Sequence, residues 1–494
     1  MGEKPVNYFH RVSEIQDLEE KCGSGNGSSK FILVEGNKHT GKTTLVSKFL
    51  ESRGGIYIKI TQTPSHLQLR EISSRLKQYV NGEGYIPELV SWDEFFTCLF
   101  QLSKNKPLCA GLDEIHNLEQ INPGILTRLK KLWQKDAQHS QLNLIGVTLP
   151  VCRQEGGQLK SVSVLNDLFH GVVKVGELSF TEVCRYALSE DERADFIMLR
   201  NVYICFGGLP RIYHYLSQEK LWSRSFDSVL GSLMRMQFSP LAPVIETLTH
   251  SIPEKGNTVY NSVLQSLAHE YATVSSIGHL IGIPATSVIK YLTILEKKKE
   301  IIRRIVPLST PEPEKSRYGR YIFRNNFPPF WYRFKERSSG INDPAGYETG
   351  IAALIPEVEE YIRSRYSRFA CGLLLSGEAD EFFAACRGPE DTEAGPVWNR
   401  FIYFETALYN RKRHEIKIIH FAGENDDFST LVSHVKRIRD HFGMKKAELH
   451  VFIPEANQKE LKFLIPYEEL KIHTGFPDEL IFNRSAKELQ LVSD

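Results

Sequence analysis

Three groups of residues have types and spacings that suit chemistry. The first is Gly36, Asn37, Lys38, His39, Thr40, Gly41, Lys42, Thr43 and Thr44, which fits the pattern G-x-x-x-x-G-K-[ST]. Its two glycines permit a tight turn that aims backbone N–H groups at phosphate oxygens. A helix opening at the same point adds the positive end of its dipole. Lys42 would reach the β- and γ-phosphates of a nucleoside triphosphate, and the Thr43 hydroxyl would ligate Mg²⁺. ATP and Mg²⁺ are the cofactors implied.

The second group closes the segment PLCAGLDEIHNL. Asp113 ends an apolar run, where its carboxylate can hold the hydration shell of Mg²⁺, and Glu114 can orient and polarise an attacking water. Such a pair also suits a helix N-cap; with the phosphate loop upstream, the catalytic reading is preferred. Thr148 ends the run LNLIGVTL, placed either to sense the γ-phosphate or merely to satisfy a strand end.

The third group lies in SVLQSLAHEYATVSSIGHLIGIPATSVIKYLTILEKKKEIIRRIVPL, which has the rhythm of a winged helix-turn-helix. Ser275 or Ser276 would cap its second helix and Gly282 would allow the turn after it. On DNA, Thr286, Ser287 and Lys290 would enter the major groove, while Lys297, Lys298, Arg303 and Arg304 would contact phosphates. The same charges also suit a solvated face on a domain that binds protein, so double-stranded DNA and a protein partner, or a second copy of the chain, both stay open.

The elements that must position these residues can be read from the apolar pattern. Five strand-like runs, FILVE, GGIYIKI, PLCAGLDE, LNLIGVTL and GVVKVGEL, alternate with longer segments of helical spacing. That alternation predicts a parallel sheet covered on both faces. From about residue 180 the strands stop and the pattern turns helical. The linker SSGINDPAG separates a middle unit from a third, and CRGPEDTEAGP reads as a loop inside the third. The expected division is an α/β core over 1–180, a helical lid over 181–260, a winged helix over 261–340 and an α/β unit over 341–494.

Composition limits the alternatives. With 494 residues, 41% hydrophobic and 24% charged, the chain is a multidomain globular protein. Its formal net charge of +1 supplies no bulk attraction to nucleic acid, so any such contact must come from local patches. No leader or membrane-spanning run is visible, which leads us to expect a cytoplasmic protein. The eight cysteines show no C-x-x-C pair, and so suggest neither a zinc site nor a disulfide framework.

The set resembles the archaeal-type P-loop ATPases of the STAND and AAA+ branch. YFHRVSEIQDL is similar to the family's leading element, here Phe9, Arg11, Glu14 and Leu18, which in that family caps the adenine pocket. YICFGGLPRIYHYL is similar to the Gly-Gly-x-Pro lid element, here Gly207, Gly208 and Pro210, with Arg211 a candidate to face phosphate. The resemblance implies ATP hydrolysis and a nucleotide-driven switch. It also implies a C-terminal domain of the restriction-endonuclease type. Glu415 and Lys417 form an E-x-K whose side chains share one face of a strand, and Glu405 would be the second acid of a metal-dependent nuclease site. A degenerate, binding-only version of that domain is the preferred reading.

Overall fold

The computed structural model describes residues 11–23, 28–80, 86–150, 158–235, 240–252, 256–270, 272–338, 347–384, 386, 392–422, 426–453 and 469–493. Phe9 lies outside them. The chain divides into two compact units, one of residues 1–178 with 209–211, the other of 179–208 with 212–494.

The first unit is built on five parallel strands: β1 (Lys30–Glu35), β2 (Ile56–Lys59), β3 (Leu108–Asp113), β4 (Leu142–Thr148) and β5 (Phe169–Lys174). They fall on the five runs expected from sequence, in the order β2-β3-β4-β1-β5, although β5 takes only the GVVK half of GVVKVGEL. Both faces of the central strands β3, β4 and β1 are covered, which explains why those strands read as continuous apolar runs. Phe31 and Leu33 point into a core with α3 (Ser65–Val80), α4 (Trp92–Leu102) and α6 (Ile125–Asp136). Ile32 and Val34 alternate to the other face, under α1 (Val12–Cys22) and α2 (Lys42–Ser52). A short α5 (Asn117–Ile121) follows β3.

The small residues of β3 have a purpose. A Cβ at Gly111 would come within 2.6 Å of Leu50 Cδ1 and 3.1 Å of Val46 Cγ1, both on α2. Bare backbone there lets α2 lie close on β3, and so brings the start of the helix to the end of the strand.

In the second unit, helices α7 (Phe180–Glu190), α8 (Phe196–Phe206) and α10 (Phe226–Met234) precede α12 (Asn257–Ala268), α13 (Val274–Ile281) and α14 (Ala285–Thr293). Thr273, rather than Ser275 or Ser276, is the N-cap of α13, in a reciprocal box with Ser276. Gly282 ends that helix at φ +71°, and the chain then turns by 110° into α14. A two-stranded antiparallel hairpin follows, β6 (Ile302–Ile305) and β7 (Arg320–Phe323). The three helices and the hairpin share one apolar core around Val263, Ile277, Val288, Leu292 and Ile302.

After α16 (Tyr347–Ser376) and α17 (Asp380–Phe383) comes a second five-stranded sheet, ordered β12-β11-β10-β9-β8. Its strands are β8 (Thr392–Trp398), β9 (Tyr403–Asn410), β10 (Glu415–Phe421), β11 (Lys446–Ile453) and β12 (Leu470–Thr474). β8, β9 and β10 pair antiparallel, while β10, β11 and β12 pair parallel. Helix α18 (Phe428–Phe442) makes the crossover between β10 and β11 and packs Val432, Val435 and Ile438 on the sheet. The stretch CRGPEDTEAGP is not wholly a loop, because its end enters β8, where pairing with β9 outweighs the turn-forming composition. Among the described residues no single helix is long and apolar enough to cross a membrane.

Candidate nucleotide site

The loop between β1 and α2 is held in an open turn by its own chain. Gly41 adopts φ +87° as the N-cap of α2, a left-handed conformation that glycine takes without strain. His39 is also left-handed, at φ +66°. Thr40 Oγ1 donates to Asn37 O at 2.9 Å, and Lys42 Nζ donates to the same carbonyl at 2.6 Å. Gly36 is fixed by packing: a Cβ there would sit 2.1 Å from Val175 O. Asn37, Lys38, Thr43 and Thr44 are exposed at the mouth of the loop.

Arg11, expected to contact nucleotide, makes its hydrogen bonds to the chain itself. It is buried, its Nη2 donates to Thr40 O at 2.9 Å and Gly176 O at 2.8 Å, and its Nη1 pairs with Glu14 at 2.6 Å. The guanidinium thus braces the phosphate loop from behind, tying it to the turn after β5. Pro210 lies against the loop from the other side, its Cγ 3.5 Å from where a Cβ on Gly41 would be. Arg211 beside it is exposed.

At the end of β3 the acidic pair meets the loop. Thr43 Oγ1 donates to Asp113 Oδ2 at 2.6 Å, the contact that close packing of α2 on β3 makes possible. Tyr57 OH, from β2, donates to the same oxygen at 2.6 Å, and Glu114 N donates to Oδ1 at 2.9 Å. Asp113 is 3% exposed, and these donors satisfy a carboxylate that would otherwise be costly to bury. A hydroxyl and a carboxylate side by side form a hard oxygen set of the kind Mg²⁺ takes.

Glu114 stands at φ +56°, a conformation uncommon for a residue with a side chain. Asn117 holds it there: one amide nitrogen donates to Glu114 Oε2 at 3.0 Å and to Ile60 O at 2.9 Å. Lys42 feels the acids as well. Burial pushes its ammonium down to about 8, and the attraction of Asp113 and Glu114 offsets part of that fall.

Thr148 is buried at the end of β4, in register with Glu35 of β1, and its Oγ1 lies 3.2 Å from His116 Nδ1. Because β4 lies between β1 and β3, the strand order sets Thr148 between the phosphate loop and the acidic pair. Burial lowers the pKa of His116. Sequence reasoning passed over Tyr57, His116 and Asn117. The last two lie within PLCAGLDEIHNL, where their distances of two and three residues from Glu114 were the available signal.

Of the residues expected to meet DNA, Thr286, Ser287 and Lys290 are exposed on α14, and Lys297 and Lys298 on the π-helical turn that continues it. Arg303 is exposed on β6. Arg304 is committed elsewhere, donating to Pro313 O at 3.0 Å and Ser316 O at 2.6 Å, so it shapes the hairpin loop.

Glu405, Glu415 and Lys417 do not converge. Glu415 is paired with Asn410, five positions along β9 from Glu405, which is about 17 Å along a strand. Glu405 accepts from Arg368 of α16 at 2.6 Å and from Tyr403 OH at 3.0 Å, while Lys417 Nζ donates to Cys386 O at 2.8 Å.

No protein-family model matches the chain. It is 25% identical over 375 residues to an uncharacterized protein of Methanocaldococcus jannaschii, covering 76% of this chain and 77% of that one. Similar solved structures include the Walker-type ATPase of Pyrococcus abyssi, at 17% identity and a TM-score of 0.47, covering 66% of this chain and 96% of that one. The ORC2 protein of Aeropyrum pernix, in ADPNP and ADP complexes, matches at 13% identity and a TM-score of 0.39, covering 74% and 97%. Cdc6p of Pyrobaculum aerophilum matches at 14% and 0.34, covering 72% and 96%.

Proposed function

We propose that the first unit binds ATP and hydrolyses it. The observation that carries this reading is the 2.6 Å contact between Thr43 Oγ1 and Asp113 Oδ2, with Lys42 and Glu114 beside it. A chance glycine turn has no reason to end against a buried carboxylate on a strand two places away in the sheet. Backbone N–H groups of residues 37–43 cradle the phosphates, and Lys42 pairs with the β- and γ-oxygens. Thr43 and Asp113 hold Mg²⁺, which supplies charge neutralisation at the phosphates when bound. Glu114, aimed by Asn117, takes the proton of the attacking water. Arg11 acts on the loop's shape, and Pro210 and Arg211 couple nucleotide to the segment that carries them, the basis for a nucleotide-driven switch.

Helices α12 to α14 and the β6–β7 hairpin form a winged helix that binds double-stranded DNA through Lys290, Lys297 and Lys298. The C-terminal sheet is a nuclease-like domain without cleavage activity, since Arg368 and the Cys386 carbonyl occupy the groups a nuclease would use. The test is ATP turnover measured with and without DNA. Lys42→Ala abolishes nucleotide binding, whereas Glu114→Gln keeps binding and loses turnover. Hydrolysis at the parental rate by Glu114→Gln would refute the assignment.

A further inference from the structure

The C-terminal sheet carries a cluster that ATP hydrolysis does not use. Cys386 follows α17, His450 lies on β11 and His473 on the edge strand β12. Parallel register pairs Lys417 with Glu448, His450 with Lys471, and Phe452 with His473. Residues two apart share a face, so Lys417, Glu448, His450 and His473 all project from the face opposite α18. Cys386 comes over that face. Its Sγ lies 3.3 Å from His450 Nδ1 and 4.0 Å from His473 Nε2, and the two nitrogens are 2.9 Å apart.

We propose that Cys386 Sγ, His450 Nδ1 and His473 Nε2 bind a zinc-class divalent cation, the fourth position being left to water or an exogenous ligand. A thiolate and two imidazoles are a borderline-soft set that selects such metals over Mg²⁺ or Ca²⁺. The geometry is close to what the ion needs. Bonds of about 2.05 Å to nitrogen and 2.3 Å to sulfur at tetrahedral angles require about 3.3 Å between nitrogens and about 3.6 Å between sulfur and nitrogen. The two sulfur–nitrogen distances straddle the second value, and the imidazoles need part only by a few tenths of an ångström.

The surroundings orient these donors. His450 Nε2 faces Glu448 Oε2 at 3.5 Å, which leaves the lone pair on Nδ1, toward the cluster, when Nε2 carries the proton. A carboxylate behind a ligating histidine is a common support for bound metal. Lys446 in turn pairs with Glu448 at 2.8 Å. Lys417, expected to activate water in a nuclease, instead anchors the carbonyl of Cys386. His473 stacks on Phe452 at 4.7 Å between ring centroids. Burial pushes His450 down to about 4 and lowers His473, so both imidazoles are neutral donors at ordinary pH. Burial also pushes the Cys386 thiol up to about 11, and coordination would release its proton to solvent.

The experiment uses the full chain, stripped with EDTA and dialysed. It is titrated with Zn²⁺ against a chromophoric chelator, and with Co²⁺ followed by visible absorption. We expect about one equivalent bound, and a thiolate-to-cobalt charge-transfer band that Cys386→Ser removes. His473→Ala should lose at least about tenfold in affinity, and Glu448→Gln about 10- to 100-fold. Circular dichroism checks that each variant is folded; His473 is on an edge strand, where truncation is best tolerated, and the wild-type cobalt spectrum decides even where a variant fails. Wild-type protein that binds no Zn²⁺ at micromolar concentration, or Zn²⁺ binding equal in folded Cys386→Ser and His473→Ala, overturns the proposal. The cluster would then be a hydrogen-bonded set of neutral groups.

Discussion

Asn117 offers the sharpest test of how the acidic pair is positioned, because one amide serves both stability and chemistry. Its nitrogen donates to Glu114 Oε2 at 3.0 Å and to the buried Ile60 carbonyl at 2.9 Å. Asn117→Ala removes both bonds. A hydrogen bond to a charged group is worth about 1.5–3 kcal/mol. At about 1.4 kcal/mol per decade, a Glu114 left to wander from its strained backbone should lose about 10- to 100-fold in kcat. Nucleotide Kd should stay within about twofold, since the amide's bonds go to Glu114 and to Ile60 just after β2, and not to the phosphate loop. The Ile60 carbonyl loses this donor at a cost of about 1–3 kcal/mol. At about 2–4 °C per kcal/mol for a unit of this size, a cost of ~2 kcal/mol lowers Tm by ~4–8 °C. The assays are steady-state ATP turnover, fluorescent-nucleotide binding and thermal melting, on Asn117→Ala, Glu114→Gln and the double variant. If Asn117 acts through Glu114, the double variant turns over no more slowly than Glu114→Gln alone. Parental turnover in Asn117→Ala despite a lowered Tm, or losses that multiply in the double variant, would refute the reasoning.

Two further outcomes are expected. Lys42 titrates near 8 without ligand, well below the ordinary 10.5, and phosphate oxygens restore the charged form. ATP binding at about pH 8.5 should therefore take up a fraction of a proton, and affinity should fall as pH rises past about 8. In the free protein the sign is opposite for folding: the unfolded chain holds more protons on Lys42 between about 8 and 10.5, so this group adds stability as pH rises through that window. Calorimetry in two buffers of different ionisation enthalpy measures the uptake, which Lys42→Arg should remove; equal heats for the parent protein would rule it out. On DNA, neutralising Lys290, Lys297 and Lys298 together should flatten the plot of log K against log salt by up to about 2.7. An unchanged slope would move this face, with its half-exposed Ile289, to protein binding.

How much of this was legible in the sequence depended on how far apart the cooperating residues lie. The phosphate loop was fully local: Gly36 to Thr44 carry their turn, helix start and charge within nine consecutive positions, and the flanking apolar run named the strand. The central strands β1, β3 and β4 were legible because burial on both faces leaves an unbroken apolar signature, while the edge strands β2 and β5 keep exposed positions. Tertiary structure decided what crosses the sheet. Gly111 adds no apolar bulk to its strand, yet its missing side chain is what seats α2 against β3 and closes Thr43 onto Asp113. Arg11 was expected to meet nucleotide and Arg304 DNA phosphate, and the fold commits both guanidiniums to backbone carbonyls. The E-x-K pattern fixed a shared face for Glu415 and Lys417 but not the register of the neighbouring strand, and that register holds Glu405 away from them. Cysteine spacing spoke against a metal site, because spacing reports only ligands carried on one local turn. Cys386, His450 and His473 meet through the pairing of β11 with β12 and the segment that Lys417 pins across them, a convergence that exists only once the sheet has formed.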